Sequence, residues 1–195
     1  SLVMVIIWLA TAAQAGSLAN NAHSSLGEQL LLYPQQLDPV SVVGNMFMHF
    51  GATHLVMNTI MLLLIGREIE MSLRDPWLYA AVFLVSGLGA DAAIVHFHPN
   101  SVVAGVSGVL YSFMALLIGI AFRRRSDLRA PIILIAVNLA YSLLAPGISL
   151  WGHLGGLCAG VFLIPTMIWP QRKAVQWIVV LTVGAVALGL TLLPA

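Results

Sequence analysis

The chain has 195 residues, of which 60% are hydrophobic and 8% charged, and a mean hydropathy of +0.98. So little charge excludes a water-soluble domain and leaves a polytopic helical membrane protein. A net charge of +1 spread over loops argues against nucleic-acid binding, and Cys158, the only cysteine, excludes a disulfide framework or a cysteine metal cluster.

Seven apolar segments follow in chain order. The first, Leu2–Gly16, opens directly behind Ser1 without an initiating methionine. That reads as a trimmed N-terminus from which any soluble domain or targeting segment is missing. A long polar loop runs from Ser17 to about Asn45. The second segment covers about Ala52 to Ile65, the third Trp77 to Val95 and the fourth Val102 to Phe122. The fifth is Pro131–Ala145, the sixth Leu150–Ile168 and the seventh Ala174–Leu193. Short connections imply one bundle, a single transmembrane domain over residues 1–195, all-α in class.

All eight basic residues fall in alternate loops. Arg67 and Arg74 follow segment two, Arg123, Arg124, Arg125 and Arg129 follow segment four, and Arg172 and Lys173 follow segment six. The positive-inside rule makes these loops cytoplasmic, with the N-terminus inside and the C-terminus outside. Segments two, four and six then enter from the outer face. Ser107 lies five residues past the start of segment four, and His153 three past Leu150. Each is within roughly 10 Å of the outer boundary at 1.5 Å per residue. His54 falls in the first turn of segment two, and Asn58 one turn deeper. Polar groups are costly in a bilayer and face water-filled cavities, so this shared depth is hard to assign to packing alone.

Ser107 sits in Gly105-Val106-Ser107-Gly108. Alone, the motif reads best as small-residue helix packing. A histidine at equal depth changes this, because a serine nucleophile needs a base and imidazole serves at neutral pH. His153 lies in Trp151-Gly152-His153-Leu154-Gly155-Gly156, and Gly152, Gly156 and Gly160 recur every four residues. That stripe lets segment six press against segment four. No acid lies near His153 in sequence, so the economical reading is a Ser107–His153 dyad. His54 and Asn58 are i,i+4 and share a face. They suit an oxyanion hole and interhelical hydrogen bonding equally well. Tyr111, one turn after Ser107, either packs on the His153 imidazole or is a plain core tyrosine.

At these residues the chain resembles the rhomboid family of intramembrane serine proteases. The matching pieces are His49-x4-His54-x3-Asn58, Gly105-Val106-Ser107-Gly108-x2-Tyr111 and Gly152-His153-x2-Gly156, in the family's order, and the resemblance covers Asn45 to Gly160. It implies six core transmembrane helices, with the seventh found in part of the family, and a bundle open to water from outside. It implies Ser107 as nucleophile, His153 as base, and an oxyanion hole formed by His54, Asn58 and the Ser107 backbone N–H. It also implies transmembrane protein substrates, cut near the outer face at small residues in helices that unwind easily, without metal or cofactor. The expected setting is a bacterial plasma (inner) membrane, among membrane lipids, with no nucleic-acid partner; the sequence sets no oligomeric state. Many rhomboids carry a Trp-Arg pair in the first loop. This chain reads Pro39-Val40-Ser41-Val42-Val43 there, so the resemblance implies nothing about that loop's fold.

Other residues carry blander expectations. His96-x-His98 and His49/His54 lack the acids or cysteines of a metal site and read as caps at the outer interface. Asp91, near the outer end of segment three, is either a functional acid or a hydrated hydrogen-bonding group. Glu68 and Glu70 suit a charge network with Arg67 and Arg74. The eight methionines suit lipid contact or packing. Leu30-Leu31-Leu32-Tyr33-Pro34 suits either an interfacial dip or a surface turn. Two other functional classes remain. One is a catalytically inactive rhomboid-like protein that binds transmembrane helices, disfavoured because Ser107 and His153 are both present. The other is a small-solute transporter, for which paired interrupted helices are expected and not apparent.

Overall fold

Helix boundaries in this chain are set by local capping chemistry, and a computed structural model describes residues 1–193. The first helix, α1 (Leu2–Ala15), ends on Gly16 in the left-handed region. The loop after it holds a 3-10 turn (Asn21–His23) and two short helices, α2 (Ser25–Leu30) and α3 (Pro39–Gly44). Asp38 and Ser41 form a reciprocal capping box on α3. Next, α4 (Gly51–Met61) runs through a π-helical turn (Leu62–Gly66) into α5 (Arg67–Leu73). Asp75 caps α6 (Pro76–Phe97), and α7 spans Ser107–Arg124. Then come α8 (Arg129–Leu144), α9 (Leu150–Leu163) capped by Ser149, α10 (Pro165–Ile168) and α11 (Lys173–Leu192).

Among the described residues four helical stretches are long and apolar enough to cross a membrane: Gly51–Leu73, Pro76–Phe97, Ser107–Arg124 and Lys173–Leu192. Leu2–Ala15, Arg129–Leu144 and Leu150–Leu163 are shorter apolar helices. The class is therefore the all-α membrane bundle expected. Every backbone polar group along such a helix is satisfied within it, as a bilayer demands.

At the centre lie α6, α7 and α9. Glycines on α9 serve both neighbours: a Cβ on Gly156 or Gly160 would overlap the Gly108 or Ser112 carbonyl of α7, and one on Gly155 the Gly89 carbonyl of α6. Gly152, the remaining member of the expected stripe, meets Ile94 of α6 instead. The outer faces are apolar, with Leu144 and Trp77 among the most exposed side chains. In water such a surface would aggregate; against lipid it is at equilibrium.

Four details differ from the sequence reading. Segment two does not stop at Ile65 but continues to Leu73, because packing carries the helix past the charged Arg67. The apolar run Val102–Val106 is not helical: Val103 pairs with Leu32 in an isolated antiparallel bridge, and the helix begins at Ser107. Leu30, Leu31 and Leu32 neither dip into an interface nor form a surface turn; they are buried against Met48, Ala104, Val42 and Ile94. Glu68 pairs with Arg124 at 3.3 Å rather than with Arg67 or Arg74. The methionines take both expected places, Met57 and Met71 facing outward while Met4, Met46, Met48, Met114 and Met167 are core.

Both basic-end turns close on left-handed arginines, Arg74 after α5 and Arg125 after α7. Lys173 bridges that end by bonding the Leu73 carbonyl and the Asp75 carboxylate, each at 3.2 Å. The Leu78 backbone N–H and the Lys173 ammonium hold the Asp75 carboxyl below its usual range.

Candidate active site

The N-terminal ends of α7 and α9 meet at the end of the bundle opposite the arginines, which brings Ser107 to His153. His153 Nε2 lies 2.9 Å from Ser107 Oγ. Ser107 is the first residue of α7, not one turn and more inside it. Its N–H and that of Gly108 therefore belong to the helix's first turn, where amides lack intrahelical acceptors and favour negative charge. His153, one turn into α9, is buried, and the close α7–α9 glycine contact is what lets the two side chains touch.

Non-helical backbone leads into Ser107 and is fixed from three sides. The Gly105 N–H donates to the Asn45 carbonyl at 2.8 Å, the Val106 N–H reaches His49 Nε2 at 3.5 Å, and Val103 is held by Leu32. Gly105 adopts φ +125°, where a side chain is strained. A Cβ there would also stand 2.7 Å from His54 Cε1 and 2.9 Å from His54 Nε2. Gly105 thus leaves the space that the His54 ring fills. His54 Nδ1 accepts the Phe50 N–H at 3.3 Å, so its Nε2 carries the proton and faces the Gly105 turn as a donor.

Asn58 is placed differently. Its Nδ2 donates to the His54 carbonyl one turn back, at 2.9 Å, a bond within its own helix. His49 is not an interface cap: it is fully buried, its Nδ1 donates to the Phe47 carbonyl at 3.1 Å, and it braces the Val106 turn. Asp91 is buried and bonded at 3.2 Å to Asn45 Nδ2, the residue whose carbonyl holds Gly105. His96 does cap, bonding the Leu190 carbonyl of α11 at 2.8 Å. Among the described residues no three His, Cys, Asp or Glu side chains cluster as metal ligands.

Tyr111 stacks on the His153 ring, centroids 4.2 Å apart and planes 16° from parallel. Sequence reasoning missed Ser142 of α8. Its Oγ lies 2.8 Å from His153 Nδ1 and 2.7 Å from the Tyr111 hydroxyl, and it donates to the Asn138 carbonyl at 2.9 Å. Ser142 is one serine in an apolar segment that shares no motif with Ser107 or His153. The only available signal was a buried hydroxyl in a helix otherwise facing lipid. A small cavity of about 20 Å³, room for one water, lies beside Ser107 and His153, with Asn45, Asp91 and Ser149 also on its wall.

Fold and site together define an integral multi-pass helical membrane protein with a hydrogen-bonded serine–histidine pair at one end of its bundle. The family model described as the Rhomboid domain matches residues 37–170, more than half of the chain. The chain belongs to the rhomboid family. It is 28% identical over 132 residues to the rhomboid protease GluP of Bacillus subtilis (strain 168), covering 65% of this chain and 26% of that protein. Two Arabidopsis thaliana proteins are also similar. RHOMBOID-like protein 6, mitochondrial, is 30% identical over 126 residues, 61% of this chain and 40% of its own length. RHOMBOID-like protein 4 is 28% identical over 127 residues, 60% and 31%. The matched region thus spans well under half the length of these relatives. The family includes serine proteases that act on transmembrane substrates within membranes.

Proposed function

We propose that this protein is an intramembrane serine protease that hydrolyses peptide bonds of transmembrane substrates with Ser107 and His153 as a catalytic dyad. The carrying observation is the 2.9 Å contact between Ser107 Oγ and His153 Nε2, made where the heads of α7 and α9 meet. His153 takes the Ser107 proton as the hydroxyl attacks the substrate carbonyl. The resulting oxyanion is met by the Ser107 N–H at the head of α7 and by His54, with Asn58 behind it. His153 returns the proton to the leaving amine, and water then releases the acyl group from Ser107 by the same base. Gly105 gives His54 its place, and Tyr111 supports the imidazole. The chemistry uses no metal or cofactor.

The reading extends to topology. Residues 1–195 act as one transmembrane domain in a plasma membrane, N-terminus cytoplasmic, with the dyad near the extracytoplasmic face. The support is that the basic residues gather at the end of the helices opposite Ser107. A rhomboid-like protein that only binds helices has no use for a bonded Ser–His pair, so that alternative is not favoured.

A fluorophosphonate serine probe is the direct test. Wild-type protein in liposomes is expected to be labelled and to cleave a transmembrane peptide, while Ser107→Ala does neither. Equal labelling of Ser107→Ala would remove Ser107 from its role.

A further inference from the structure

We infer that Ser142 of α8 is a positioning residue that fixes the tautomer of His153. The argument is an inventory of hydrogens. Ser142 Oγ has three neighbours at hydrogen-bonding distance: the Asn138 carbonyl at 2.9 Å, the Tyr111 hydroxyl at 2.7 Å and His153 Nδ1 at 2.8 Å. A hydroxyl has one proton and two lone pairs. A carbonyl oxygen can only accept, so the Ser142 proton goes to Asn138. Both lone pairs are then left to accept, one from the Tyr111 O–H and the other from His153 Nδ1–H.

The neutral imidazole carries a single proton, and with that proton on Nδ1 the Nε2 lone pair is the one facing Ser107 Oγ. This is the tautomer a general base for Ser107 needs. Tyr111 contributes twice, through its ring stacked on the imidazole and through a hydroxyl that occupies the second lone pair of Ser142. With both lone pairs used, Ser142 has no competing donor to prefer over His153.

The position of Ser142 fits this use. Of the 16 residues of α8, only Pro131 and Ser142 are buried, and the rest of the helix stands largely exposed. A buried hydroxyl whose three contacts are all satisfied is a specified arrangement, since a half-satisfied buried group is costly. No carboxylate fills this place. A neutral serine, oriented by the carbonyl one helical turn behind it, supplies the acceptor that orients the imidazole. The mechanism therefore has an orienting third member, contributed by a helix that carries neither dyad residue.

The inference rests on His153 acting as base for Ser107, and the experiment separates the two. The first measurement is the nitrogen NMR spectrum of the wild-type chain, labelled at histidine ring nitrogens and reconstituted in detergent, with His153 assigned by the signals lost in His153→Ala. A protonated Nδ1 and a bare Nε2 are expected; the opposite tautomer overturns the proposal. This requires no variant at Ser142, so a poorly folding mutant does not blunt it.

The second measurement is kinetic. Ser142→Ala is expected to lower kcat by about 10- to 100-fold with KM nearly unchanged, and to show a mixture of tautomers at His153. Ser142→Thr keeps a hydroxyl that can bond back to Asn138 and accept from Nδ1, and is expected to restore most of kcat and the single tautomer. An unchanged kcat in Ser142→Ala, or a loss that Thr does not repair while both variants melt like wild type, overturns the role of Ser142 and leaves the dyad standing. A folded wild type inert to the serine probe and to substrate would overturn the dyad and this inference with it.

Discussion

His54 and Asn58 share a helix face, with His54 nearer the depth of Ser107 by sequence spacing, and their contacts separate them further. His54 Nδ1 is occupied by the Phe50 N–H, which leaves an Nε2 donor at the Gly105 turn, while Asn58 already donates to the His54 carbonyl. A donor aimed at charge that develops only in the transition state lowers kcat by about 10²–10³-fold when removed, with little effect on substrate binding. His54→Ala is expected to behave so at an unchanged melting temperature, and Asn58→Ala to lose less activity and more stability. Steady-state kinetics with a transmembrane substrate, beside thermal melting in detergent, decides it. A loss of activity at His54→Ala in proportion to lost stability would reduce that side chain to helix packing. At this scale the contact between Ser107 and His153 was legible in the sequence, because serine, histidine and glycine each carry distinctive chemistry at a shared depth. Ser142 was not legible, since its role lies in a contact between helices that no spacing along the chain encodes. His49 was legible as a motif member but not as the brace under Val106, for the same reason.

The helices pack through glycine where the site requires it. Gly156 admits the Gly108 carbonyl of α7 so closely that any side chain must push the two helices apart, whereas Gly189 of α11 has open space where a Cβ would stand. Overpacking a tight contact costs about 1–3 kcal/mol. Gly156→Ala is therefore expected to lower the melting temperature and, by separating α7 from α9, to reduce serine-probe labelling at Ser107. Gly189→Ala is expected to leave both unchanged. If both variants melt and label like wild type, the close α7–α9 contact is not what seats the dyad. Periodicity located the apolar helices well, because burial in lipid needs long apolar runs and the runs are plain to see. It misplaced the start of α7, where Val102–Val106 is as apolar as the helix beyond it yet is not helical. Hydrophobicity sees only burial there, and the break comes from the positive φ at Gly105 and the pairing of Val103 with Leu32. It also ended segment two early, reading Arg67 as a boundary that the packing of Ile69 and Leu73 overrides.

At the scale of the whole molecule, charge and aromatic residues mark the two ends. The arginines lie at one end with Trp77 and Trp169, and Phe97 stacks on Trp151 at 4.7 Å toward the other. Aromatic side chains at both ends suit the two membrane–water interfaces, and the arginines choose which of them is cytoplasmic. With Cys158 replaced by serine, single cysteines at Gln36, Asn100 and Ser126 report the orientation. An impermeant thiol reagent applied outside intact cells is expected to modify positions 36 and 100 and to spare 126. The reverse pattern would put the dyad on the cytoplasmic side. Orientation was the firmest whole-molecule expectation, as it follows from counting arginines and needs no knowledge of packing. The first loop was the least legible, because its buried leucines earn their place only against Met48, Val42 and Ile94.

The bridge between Leu32 and Val103 has a consequence for motion. Two backbone bonds, 2.9 and 3.1 Å long, tie the first loop to the segment that delivers Ser107, and the Gly105 N–H adds a third tie to Asn45. Loop and segment then open together or not at all, as one cooperative unit. The amides of Leu32, Val103 and Gly105 are expected to exchange with deuterium at a common rate, slower than the surrounding loop. Replacing Leu32 with proline removes one of those amides and should release the other two together. Independent rates at the three positions would mean that the approach to Ser107 breathes without disturbing the loop, and that the setting of Ser107 is insensitive to what the loop touches.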